Sequence, residues 1–157
     1  MFDFATLDLT PAIAHHLLVF LLAGILAFEI GVIRSTMTAA DIKRVGSVDI
    51  WYGILAALII VVGFSRAIFA AKGWAYYSVN LFFWAKMATF VVVGLLSIVP
   101  TVAIIRWRKA LKNDAAFAPP AGAVRRVRAY LWAEAALFLL LPVFAAAMAR
   151  GYGELTP

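Results

Sequence analysis

The sequence contains no cysteine. That excludes disulfides, thiolate metal sites, cysteine redox centres and thioether attachment of haem through a C-x-x-C-H motif. There are only four methionines, and they form no cluster, so a copper-export path has little to build on. Charged residues make up 14% of the chain, with 8 acids against 14 bases. No positively charged stretch precedes the first apolar run, and that run is too long for the core of a secretory signal. It is expected to remain in the mature chain. No internal repeat is evident.

What the chain has instead is apolar surface. Hydrophobic residues are 66% of its 157 positions, where a soluble domain is nearer half. The composition is that of an integral membrane protein, and the length allows one compact unit, a single transmembrane domain over residues 1–157. The net charge of +6 does not indicate a nucleic-acid partner, because the bases flank the apolar runs as topology signals do. The expected partner is the lipid bilayer.

Four runs are long enough to cross a hydrocarbon core of about 30 Å. They cover about 11–33, 50–71, 78–105 and 127–149. Thr10 and Pro11 read as the cap and first position of span one. Residues 35–48 are polar and read as a short amphipathic surface helix, with Thr38-Ala-Ala-Asp41 resembling a capping box and Lys43 and Arg44 facing headgroups. Trp51 and Tyr52 read as interfacial aromatics, as do Trp74, Tyr76, Tyr77, Trp107, Tyr130 and Trp132. Pro100 and Pro142 lie inside spans three and four and are expected to bend them.

Orientation follows from the bases. Residues 34–48 carry Arg34, Lys43 and Arg44, and residues 106–128 carry seven bases from Arg106 to Arg128. The connection between spans two and three has only Lys72, and the N-terminal tail has none. The positive-inside bias therefore predicts a four-transmembrane-helix bundle with both termini outside, as a multi-pass protein of the bacterial inner membrane.

This topology brings polar groups to two levels. At ~1.5 Å per residue, His15 and His16 lie about 6 to 9 Å in from the outer end of span one. Arg66 lies about 6 to 10 Å, and Lys86 about 10 to 14 Å, from the outer ends of spans two and three. Asn80 and Arg150 add polarity on that side. Glu29 and Glu134 belong to the inner half, where pairing with Arg34 and Arg128 competes with a proton path. A lysine as deep as Lys86 needs a partner, a wet pocket or a function. Phase at 100° per residue separates the histidines: the His15 face carries Leu18, Val19, Leu22, Leu26 and, about 40° off, Glu29, the His16 face Phe20, Ala23 and Ala27. The blander alternatives are interfacial hydrogen bonding for either histidine and snorkelling for Arg66.

Imidazoles and cations at one level of a helical bundle suit a b-type haem, which needs an axial ligand, optionally a second, and cations for its propionates. His15 and Lys86 are the candidate axial pair, His16 the substitute for His15. Arg66 and Lys72, with Asn80 nearby, are the candidate polar contacts.

The whole chain also resembles a bacterial family of predicted membrane proteins. The matching stretches are His15-His16 with Gly24 and Glu29, Asp49-x-x-Tyr52-Gly53 and Gly63-x-x-Arg66. They continue through Lys72-Gly73-x-x-x-Tyr77-x-x-Asn80-x-x-Phe83-Trp84-x-Lys86 and Leu96-Ser97-x-x-Pro100-Thr101. That family looks related to the copper-resistance-D-like four-helix group, which includes haem-containing membrane protoporphyrinogen oxidases. The resemblance implies a first-span histidine and the third-span Lys86 as haem ligands. Ala27-Phe28-Glu29 stands where those oxidases carry a tryptophan-rich, arginine-containing stretch.

The expected function is thus a haem b redox protein of the inner membrane, a possible oxidoreductase. It would exchange electrons with a quinone or act on a porphyrin, with protoporphyrinogen oxidation one candidate. Units of this size often pair, so a homodimer is compatible. The rival is a cofactor-free ion or anion transporter, or an accessory subunit. There the outer cations would form an anion vestibule, and Glu29 and Glu134 an inner proton site.

Overall fold

Hydrocarbon leaves backbone N–H and C=O groups no partner but each other, and the chain answers with helix almost throughout. A computed structural model describes residues 4–69 and 73–155, with side chains from residue 9 onward. Among the described residues the helices are α1 (Phe4–Val32), α2 (Ala39–Phe69), α3 (Gly73–Ser78), α4 (Leu81–Asn113), α5 (Ala121–Phe138) and α6 (Leu140–Ala149). Four segments are long and apolar enough to span a membrane: α1, α2, α4, and α5 with α6.

α1 touches α2 and α5, and α4 touches α2, α5 and α6. The spans therefore form a ring, with α1 diagonal to α4 and α2 diagonal to α5. Buried Leu22, Leu26, Ile42, Ile59, Ile104 and Leu131 fill its axis. The outside is apolar as well: Phe20 is 73% exposed, Val61 65% and Leu95 61%. Such a surface is stable only against lipid.

The helices overrun the apolar runs that define them. α2 has 31 residues and is about 46 Å long, so the expected amphipathic segment is helical but continues without a break into span two. Lys43 and Arg44 are exposed on it. Its start is a reciprocal cap. The Thr38 N–H donates to Asp41 Oδ2 (2.9 Å) and the Asp41 N–H to Thr38 Oγ1 (3.2 Å). α4 runs to Asn113 and takes in the bases from Arg106 to Lys112. α1 starts at Phe4 rather than Pro11, since one proline removes one N–H and a membrane helix tolerates that loss.

Span four does break. A proline lacks the N–H that would bond the carbonyl four residues back, and its ring crowds that carbonyl. For Pro142 that residue is Phe138, where α5 ends; Leu139 separates it from α6. α6 closes on Gly151 (φ 80°). The Tyr152 N–H donates to Ala147 O and the Gly151 N–H to Met148 O, both at 3.1 Å, a Schellman arrangement.

The C-terminal strand of chain then returns to α4. The Leu81 N–H donates to Gly153 O (2.8 Å) and the Leu155 N–H to Val79 O (3.0 Å). Fully buried Asn80 is the hub. Its Oδ1 accepts from the N–H groups of Phe82 and Phe83, and its Nδ2 donates to Tyr152 O. Around it lies the outer aromatic belt: Trp74 meets Phe83 edge to face (5.9 Å), and Trp84 donates its Nε1–H to Ser78 O (2.9 Å).

Asn80→Ala should remove the α4 cap and orphan Tyr152 O, destabilising the protein by about 2 kcal/mol. An unfolding titration in mixed micelles would show it as an earlier midpoint.

Candidate functional site

Two polar levels stand in the bundle, separated by aliphatic packing. On α1 the step from His15 to Glu29 is about 21 Å; on α2 from Arg66 to Asp49 about 25 Å; on α4 from Lys86 to Thr101 about 22 Å. Between them lie buried Leu22, Ile59 and Val93. Three helices thus agree on one spacing and one seal.

The outer level is an apolar cavity of about 570 Å³. His15, His16 and Lys86 supply its ionisable lining, with Phe20, Phe64 and Phe90 among its walls. The two faces of α1 differ in part: Leu22, Leu26 and Glu29 on the His15 face are buried with Leu18 and Val19 half-buried, while His16, Phe20 and Ala27 are exposed but Ala23 is half-buried, and His16 lines the same cavity as His15. The two imidazoles stand at 88° to each other. His16 Nδ1 is 2.7 Å from Ala12 O, the local hydrogen bond of an exposed helix histidine. His15 Nδ1 is buried without a partner. Its ring lies on Gly63, where an added Cβ would come within 3.2 Å of Cε1. Glycine at 63 is therefore what lets α2 approach the imidazole.

Lys86 enters the same cavity from the diagonal helix α4. The charge acting on it is another cation, Arg66, whose Nε is buried without a partner. Arg66 is within electrostatic reach of His15 too but does not line the cavity. Of the other expected contacts, Asn80 is not a cavity residue; its polar atoms are engaged as the cap of α4. Lys72 lies outside the described residues. Arg150, exposed, bonds its own helix at Ala146 O (3.4 Å).

The inner level is built from all four spans. Glu29 and Glu134 are 2% and 1% exposed. Neither makes the local ion pair expected of it. Arg128 instead donates to the carbonyls of Ile30 (3.0 Å) and Ile33, closing the free end of α1, where carbonyls lack partners. Glu134 Oε2 accepts from the Tyr52 hydroxyl at 3.1 Å, a bond across the α2–α5 diagonal. Asp49 Oδ1 accepts from Thr101 Oγ1 at 2.7 Å. Glu29 Oε1 and Glu134 Oε1 have no partner.

Sequence reasoning missed Asp49, Tyr52 and Thr101 as a set. Tyr52 was expected at the interface and is 6% exposed inside; Trp107, also expected there, is 5% exposed. A signal existed: Asp49 and Tyr52 are three apart, on one helix face, and an acid opening an apolar run is an unusual choice.

A second cavity, about 320 Å³, lies on this side and is lined by Asp49, Tyr52, Thr101, Gly46 and Arg108 among others. Arg108 lies across Gly46 and donates to its carbonyl at 2.9 Å; a Cβ at 46 would fall 2.8 Å from Arg108 Nε. Among the described residues no group of three His, Asp or Glu side chains is arranged to hold a metal ion.

Fold and site together define a multi-pass, four-helix membrane protein with two polar levels inside it. Residues 7–153 match the family described as Predicted membrane protein (DUF2214), and the chain belongs to that family. Comparison with curated proteins and with solved structures returns no match.

Tyr52→Phe should leave both Glu134 oxygens without a partner. A loss of about 1–3 kcal/mol is expected, read as a lower melting temperature in detergent with the helix content unchanged.

Proposed function

We propose that this protein carries a b-type haem in the outer cavity and moves electrons in the bacterial inner membrane. One observation carries the reading. An imidazole with an unpartnered nitrogen and an amine with no carboxylate opposite reach one apolar cavity from diagonal helices. Structural imidazoles are normally hydrogen-bonded, and a cation is not left in hydrocarbon without cause.

The residues present fit such a group. The cavity volume is in the range of cofactor pockets. Gly63, Ala145, Ala146 and Ala149 around it allow a flat ring to approach the helices closely. His15, through its neutral ring, and Lys86, as an amine without its proton, would hold the iron. His16, tied to Ala12 O, is the substitute. Arg66, which stands outside the cavity lining, would meet propionates only where they leave the cavity, and Lys72 lies beyond the described residues. When bound, the haem supplies one-electron chemistry. The bundle supplies ligation, a low dielectric and, through Leu22, Ile59 and Val93, isolation from the inner level.

Donor and acceptor would be membrane-soluble or outer-side molecules, a quinone or a porphyrin, with protoporphyrinogen oxidation one candidate. The resemblance to the copper-resistance-D-like group supports this class. A homodimer is compatible with this reading.

The test is the visible spectrum of protein purified in detergent from haem-replete cells. A Soret band is expected that weakens in His15→Ala and in Lys86→Ala and survives in His16→Ala. A colourless wild-type protein would sink the reading and favour a cofactor-free transporter or accessory subunit.

A further inference from the structure

The outer cavity leaves the inner carboxyl groups unexplained. We propose that buried Glu29 and Glu134, the latter bonded by Tyr52 at the cavity that Asp49 also lines, form a proton-binding site that loads from the inner side of the membrane. This stands apart from the haem reading and needs none of its residues.

Burial and partner count carry it. Each glutamate is more than nine-tenths buried, and each has one oxygen with no hydrogen bond. A buried carboxylate needs a cation or several donors. The charged and titratable groups facing the pair offer neither. From α2 come Asp49, already bonded to Thr101, and Tyr52, which gives its one proton to Glu134. From α4 comes Arg108, committed to Gly46 O. From α5 comes Arg128, committed to the end of α1. His15, Lys86 and Arg66 belong to the outer level, His15 about 21 Å along α1 from Glu29. A carboxyl so placed resolves the conflict by keeping a proton. A protonated carboxyl then both donates and accepts, as a relay requires.

Geometry gives the route. Tyr52 lines the inner cavity and also donates to Glu134, so one residue borders the cavity and bonds the buried acid. Asp49, one turn earlier on the same face, lines the same cavity. Its carboxylate is held by Thr101 where it can pass protons between the cavity and the interior. The cavity runs from Gly46 and Arg108 at its inner end up to Leu22, Phe90 and Val93. Asp49 lies toward that inner end, and the site loads from there. No covalent bond changes: a proton leaves an inner-side donor and binds a carboxylate oxygen.

Infrared difference spectra of the full chain in liposomes, taken between two bulk pH values in H₂O and in ²H₂O, test this. A C=O band of protonated carboxyl is expected at pH values where exposed glutamate is ionised. It should disappear as the pH rises further, and lose one carboxyl's share in Glu29→Gln and again in Glu134→Gln. Asp49→Asn should slow its response to a pH jump. If Glu29→Gln fails to fold, Glu29→Asp must shift the band instead. The proposal is overturned by absence of the band, by a band that neither glutamine substitution changes, or by one that never titrates while the protein stays folded. It is equally overturned if Na⁺ or K⁺ displaces the band at constant pH, which would mark an alkali-cation site.

Discussion

Hydrocarbon offers a polar atom nothing to bond to, and the placing of every polar side chain in this bundle follows from that constraint. Most are satisfied locally. Asn80 ties the start of α4 to the returning C-terminal segment. Arg128 closes α1, and Arg108 lies over Gly46. The basic residues that looked like partners for buried acids serve free carbonyls instead. A guanidinium at a helix C-terminus meets the partial negative charge there without bringing a carboxylate into lipid.

Among the described residues four buried polar atoms escape this economy: His15 Nδ1, Arg66 Nε, Glu29 Oε1 and Glu134 Oε1. They fall two and two onto the outer and inner levels, and the levels differ in chemistry. The outer one joins an imidazole to cations and opens on an apolar cavity. The inner one joins carboxyls to a phenol and a hydroxyl and opens on a smaller one. An uncompensated buried group is costly enough that its persistence points to a use. Opposite polarity at the two levels suits opposite cargoes, a ligand with negative side arms outside and a positive charge inside.

The seal between the levels matters as much as either site. Leu22, Ile59 and Val93 come from three helices at matching height, and each is buried. The break at Leu139, imposed by Pro142 on Phe138, lies beside the outer cavity. It bends the wall that a ligand would press against.

Span number, membrane insertion and the inward phase of His15 were legible in the sequence because each rests on a local, periodic property: run length, composition and 100° per residue. The capping box at Thr38 and Asp41 was legible for the same reason. Partnership was not. Spacing offered Glu134 to Arg128 and Glu29 to Arg34, yet Tyr52 reached Glu134 across the bundle and Arg128 took the end of α1. It gave Tyr52 and Trp107 to the interface, yet the helices ran past the apolar segments and carried both inside. Which polar atoms find partners depends on how four helices are ordered around a ring, and that ordering is set by long-range packing. The sequence determined that polar groups would lie in the membrane; only the tertiary structure decided which of them would be left unsatisfied, because only there do the diagonals of the bundle exist.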